Sequence, residues 1–69
     1  MEKIIAIVEV FYNDMPLPYH ASAYSTEQDC YFIFRREPNI NIGDEIEIDL
    51  SNCQFIEGIG YLANSIILR

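Results

Sequence analysis

The sequence predicts an all-β protein: a small antiparallel barrel or sandwich of five to six short strands, forming one domain over residues 1–69. Two observations carry this. The run Ile42-Gly43-Asp44-Glu45-Ile46-Glu47-Ile48-Asp49-Leu50 opens on a turn dipeptide and then alternates acid with aliphatic. In a strand that alternation sends Ile46, Ile48 and Leu50 to one face and Glu45, Glu47 and Asp49 to the other. The rest of the chain consists of short apolar segments rich in β-branched and aromatic residues, separated by turn residues.

Residues 4–12 (Ile-Ile-Ala-Ile-Val-Glu-Val-Phe-Tyr) read as a first strand. Its even positions, Ile4, Ala6, Val8, Val10 and Tyr12, form one apolar face, and its odd face (Lys3, Ile5, Ile7, Glu9, Phe11) is mixed. Residues 13–18 are a turn by composition, because Pro16 and Pro18 remove backbone donors and restrict φ. Residues 17–25 alternate Leu17, Tyr19, Ala21 and Ala23 with His20, Ser22 and Tyr24, the pattern of a half-buried strand. A polar loop over 25–29 precedes a strand over 30–35, with Cys30, Phe32 and Phe34 facing inward. The connection 37–43 is expected to dip Ile40 and Ile42 into the core before the acidic strand begins. Ser51-Asn52 turns the chain into a strand over 53–57. In the tail, Ile56, Ile59, Ala63 and Ile66 or Ile67 fit helical spacing, but Gly58 and Gly60 weigh against a helix. Strands near 59–62 and 65–69 are expected instead. The Ile-Gly-Asp-Glu-Ile-Glu-Ile stretch resembles the turn and strand of SH3-like and OB-like barrels, which sets an expected size without assigning a family.

Size bounds the chemistry. A chain of 69 residues, 51% of them hydrophobic, can form one core. Domains this small bury only about 60% of their unfolded surface, so a deep substrate cavity in addition to that core is not expected. Eleven acids against four bases give a net charge of −7. Between Arg36 and Arg69 there is no base, while Glu37, Asp44, Glu45, Glu47, Asp49 and Glu57 fall in that interval. Nucleic-acid affinity rests on Lys and Arg neutralising phosphates, so neither direct nucleic-acid binding nor docking on an anionic membrane is expected. Lys3, the apolar run and Ala21-Ser22-Ala23 imitate a signal peptide. Glu9 interrupts the run and Asn13, Asp14, Pro16 and Pro18 separate it from the supposed cleavage site, so a cytoplasmic protein is expected. Cys30 and Cys53 are then expected as free thiols.

The candidate contact surface is the acidic row Glu45, Glu47 and Asp49, with Asp44 at its turn and Tyr24 and Tyr31 facing outward by strand parity. Same-face carboxylates about 6.6 Å apart make a ladder of negative charge that could occupy the Lys/Arg track of a nucleic-acid-binding protein. The plainer reading is a solvated strand face that discourages edge pairing. No calcium-loop spacing, Cys-x-x-Cys pair or phosphate loop is present, so no catalytic residue, metal site or cofactor is assigned, and no enzyme is expected. Arg35 is expected to pair with Glu45 or Glu47 across the sheet. The leading expectation is a non-enzymatic acidic module that engages a basic partner protein, in its sharper form an inhibitor acting by nucleic-acid charge mimicry. The alternatives are a homodimer or structural subunit docking through a sheet edge, either the tail 65–68 or the strand 4–12, and a small-molecule-binding barrel.

Overall fold

The computed structural model describes residues 2–14 and 20–69. Seven strands form one sheet: β1 (Lys3–Phe11), β2 (Ala21–Ser25), β3 (Cys30–Phe34), β4 (Glu45–Asp49), β5 (Cys53–Ile56), β6 (Gly60–Ala63) and β7 (Ile66–Leu68). A 3-10 turn, Leu50–Asn52, joins β4 to β5. The order across the sheet is β5-β6-β3-β2-β1-β4-β7, and the sheet curls into a half-barrel. The all-β class read from the sequence therefore holds. The tail is strand, as Gly58 and Gly60 suggested, both at positive φ around the β5–β6 turn. All pairings are antiparallel except β3 with β6, which is parallel. The expected turn and strand start at 15–19 lie outside the described residues.

The curl follows from two short connections. β4 and β5 stand five strand spacings apart in the sheet, about 24 Å if it were flat. Leu50–Asn52 joins them, and four peptide steps reach at most about 14 Å. Asn64 and Ser65 join β6 to β7 over the same five spacings with one step fewer. A flat sheet is thus geometrically forbidden. The two crossings also bind each other. Asn64 donates to the Asn52 carbonyl through both its backbone N–H (3.1 Å) and its side-chain amide (2.8 Å), and the Asn52 amide lies 3.4 Å from Ser65 Oγ.

Inside the curl lie Ile4, Ala6 and Val8 of β1, Ala21 and Ala23 of β2, Phe32 and Phe34 of β3, and Ile46 and Ile48 of β4. Ala63 and Ile40 complete this core. Ala residues on β2 leave room for the two phenylalanines beside them, and this alternation of small and large lets a narrow curl fill. Ile40 is buried as expected, but Ile42 is 61% exposed. The reason is the turn between them. Asp44 Oδ2 accepts from the Asn41 N–H at 2.9 Å, Gly43 at positive φ donates to the Val8 carbonyl at 2.8 Å, and Ile42 is left on the turn's outer side.

The expected apolar even face of β1 holds only to Val8. The register slips between Val8 and Val10, with Val8 opposite Ala23 and Val10 opposite Ser22. One extra residue, Glu9, makes a bulge that exchanges the faces beyond it. Phe11 therefore packs against the core, while Val10 and Tyr12 turn outward. β1 is paired on both sides, with β2 and β4, so it is not an available edge. Of the two expected docking edges only β7 is one. Arg35 cannot pair with Glu45 or Glu47, because β2 and β1 stand between β3 and β4. Instead Arg69 faces Glu47 at 3.7 Å, and the Arg36 guanidinium sits 3.9 Å from the centre of the Phe11 ring.

Two stability predictions follow from this packing. Ile46→Ala, at a site with no exposure, is expected to lower unfolding free energy by about 2–5 kcal/mol, most of the margin of so small a domain, as read from urea midpoints. Asn64→Ala removes one bond of the clamp between crossings, from the Asn64 amide to the Asn52 carbonyl, and is expected to cost about 0.5–1.5 kcal/mol. An unchanged midpoint for Asn64→Ala would show that the side-chain half of the clamp is dispensable.

Candidate functional site

The outward face of the sheet is where the sequence-predicted residues meet. Glu45 of β4 stands opposite Ile7 of β1, Ile7 opposite Tyr24 of β2, and Tyr24 opposite Tyr31 of β3. These four make one straight row over three strand spacings, about 14 Å. A neighbouring row sets Ile67, Glu47 and Ile5 side by side across β7, β4 and β1. Lys3 stands opposite Asp49. The face is therefore an aliphatic and aromatic centre with carboxylates along one flank.

The carboxylates are not equivalent. Asp44 is spent on its own turn, accepting from Asn41. Asp49 accepts from both the backbone N–H (3.0 Å) and the hydroxyl (2.7 Å) of Ser51, and so caps the 3-10 turn at the β4–β5 crossing. Those bonds, the hydroxyl's first, hold its carboxyl below the ordinary aspartate value. Glu47 faces Arg69. Glu45 is exposed, and its side chain has no hydrogen-bond or ion-pair partner among the described residues. The ladder expected from alternation exists as geometry, but its carboxylates differ in availability.

The tyrosines are organised as a group. Tyr24 and Tyr31 pack edge to face with ring centres 5.0 Å apart. Tyr24 is held in place by donating its hydroxyl to Asp29 Oδ1. Asp29 itself adopts φ +52°, a left-handed conformation that Asp tolerates in tight turns, and the hairpin loop is further closed by the Gln28 N–H on Ser25 Oγ at 3.2 Å. The bond to Asp29 raises the Tyr24 pKa, and hydrogen bonding to Glu9 does the same for Tyr31. Both rings remain neutral, and Tyr31 is 52% exposed. Tyr12 joins them from the far side of the bulge, its hydroxyl 3.2 Å from Ser22 Oγ. Sequence parity assigned Tyr12 to the core. Its place on this face depends on a bulge whose signal, a glutamate amid an apolar run, can be recognised only afterwards.

Comparison with protein-family models, curated proteins and solved structures finds no match to this chain. The site must be read from its own chemistry.

The inner face carries a second feature that the size argument did not anticipate: an open cleft of about 450 Å³. The row Phe32, Tyr61 and Phe55 lines it together with Leu50, Cys53, Gln28 and Cys30. The cleft lies towards the β5 edge of the half-barrel. Both cysteines are free thiols. Burial, and then the charges of Asp29 beside Cys30 and of Asp49 beside Cys53, push their pKa values up, so neither is activated as a thiolate. Among the described residues, no group of three or more His, Cys, Asp or Glu side chains converges as a metal site. No helix among them is long and apolar enough to cross a membrane.

Asp49 gives the site a pH dependence of definite sign. Its folded pKa is depressed, so its bonds to Ser51 contribute stability above the unfolded value of about 3.9, lost as pH falls through the folded pKa. In Ser51→Ala the Asp49 titration, followed by carboxyl NMR, should move up towards the ordinary value. The decline of urea midpoints below about pH 4 should then flatten relative to the parent protein.

Proposed function

We propose that this chain is a non-enzymatic protein-binding module whose outward face engages a basic partner. The row Glu45, Ile7, Tyr24, Tyr31 carries this reading. Protein interfaces draw most of their energy from a few aromatic anchors surrounded by contacts that exclude water. Tyr31 is such an anchor in form: half-exposed, neutral and fixed in orientation by its edge contact with Tyr24. Glu9 beside it, and Glu45 and Glu47 farther along the same face, favour lysines and arginines on the partner, and the net charge of −7 favours encounter with a basic surface.

Charge mimicry of a nucleic acid is the narrower form of the reading and has less support. It calls for evenly spaced, available carboxylates. Asp49 is engaged by Ser51 and Glu47 by Arg69, leaving Glu45 as the freest of the row. An aromatic centre with an acidic flank suits a protein surface better than a ladder alone does.

Affinity capture with the immobilised protein, followed by mass spectrometry, tests the reading. Captured partners should have basic isoelectric points and should release as salt rises. Tyr31→Ala should weaken capture by about thirtyfold or more if Tyr31 is a hot spot of 2 kcal/mol. Glu45→Lys with Glu47→Lys should abolish the basic set while leaving the fold intact, since exposed ion pairs contribute only about 0–1 kcal/mol. Asp49 is left in place because of its role in the turn. The same partners captured by both variants, at unchanged strength, would sink the proposal.

A further inference from the structure

We infer that the inner cleft is a binding site for a small, neutral, flat aromatic molecule, separate from the outward face. The volume of about 450 Å³ lies in the range of small-molecule pockets and is too small for a helix or a strand pair. The lining is informative in what chemistry it offers. It consists of aromatic rings, one leucine, two thiols and one amide, with no ionised side chain in a protein of net charge −7.

The rings determine the shape of the occupant. Tyr61 sits between Phe32, at 5.6 Å and 33°, and Phe55, at 5.3 Å and 67°. Register puts Phe32, Tyr61 and Phe55 in one row across β3, β6 and β5. Phe55 closes the row at the sheet edge and is 66% exposed, so among the described residues its outer surface has no partner ring. A planar ring entering the cleft completes the row by stacking or edge contact. Gln28 supplies a donor and an acceptor that a polar substituent on such a ring can meet. Charge selects neutrality. The lining has no Lys or Arg to pair with an anion, and the net charge of −7 disfavours one. A cation finds no carboxylate in the lining to pair with it.

Cys30 and Cys53 make the occupancy measurable, since both line the cleft and an occupant that fills it shields them. The test uses the full chain and the neutral fluorophore N-phenyl-1-naphthylamine, with the anionic 1-anilinonaphthalene-8-sulfonate as its charged counterpart. Saturable one-to-one binding of the neutral dye at micromolar concentration is expected, with the sulfonate binding at least tenfold more weakly. At about ten times the dissociation constant, the free fraction falls about elevenfold, and reaction of both thiols with N-ethylmaleimide should slow by that factor. Cys53→Trp fills the cleft and should abolish dye binding. Phe55→Ser, at an exposed edge position that leaves the core untouched, should weaken it by up to about tenfold. Tyr31→Ala lies on the opposite face and should leave dye binding unchanged, which separates failure of this site from failure of the outward one. Equal binding of both dyes, dye bound without protection of the thiols, or full binding by a folded Phe55→Ser would each overturn the assignment.

Discussion

Two short crossings govern this fold. Leu50–Asn52 and the pair Asn64-Ser65 each connect strands that a flat sheet would hold five spacings apart. Because chain length cannot stretch, the sheet has to bend until those strand ends approach. Bending solves the problem that any lone sheet faces, which is to bury one face with no helix to lay over it. Phe32 and Phe34 of β3 share one core with Ile46 and Ile48 of β4, three strand spacings away, because the crossings draw the two ends together. Asp49 and Asn64, both polar and neither fully buried, therefore have structural weight beyond their hydrogen bonds: they hold the crossings in place.

The same bend accounts for both candidate sites. Curling an open sheet gives it two unlike surfaces. The outer one is a continuous platform where rows from four or five strands lie side by side, and it gathers Tyr24, Tyr31, Tyr12, Ile5, Ile7 and Glu45. The inner one is filled by core side chains along β1, β2 and β4, but not at the seam near β5, where the half-barrel stays open and the aromatic cleft lies. A closed barrel would have no such seam. Electrostatics divides the two surfaces further, with carboxylates around the outer face and an uncharged lining in the cleft.

Strand positions were readable because a half-buried strand writes its two faces into alternate residues. The alternation of Glu45 to Asp49, the β-branched run of β1 and the Cys30–Phe34 segment each map onto an observed strand to within a residue or two. The readings that went astray share a cause. The outward turn of Tyr12 and the inward turn of Phe11 depend on a bulge at Glu9, where one extra residue inverts everything beyond it. The exposure of Ile42 depends on Asp44 closing a turn that has the same composition whichever way it faces. The expected Arg35–Glu45 pairing assumed neighbouring strands that are not neighbours.

By itself, the sequence determined the class, the strand positions and the character of each face, since these depend on local periodicity and on solvation of individual side chains. It also determined that Glu45, Glu47 and Asp49 share a side, and that this side carries charge. Tertiary structure decided which strands adjoin, and hence that Glu45 lines up with Ile7, Tyr24 and Tyr31 rather than with Arg35. It decided that Asp49 serves a turn while Glu45 stays free among the described residues, and that Cys30 and Cys53, 23 positions apart in the chain, line one cleft. Pairing order is a property of the whole chain. It follows from how far short connections reach and from which ends must meet, and no window of sequence contains that information.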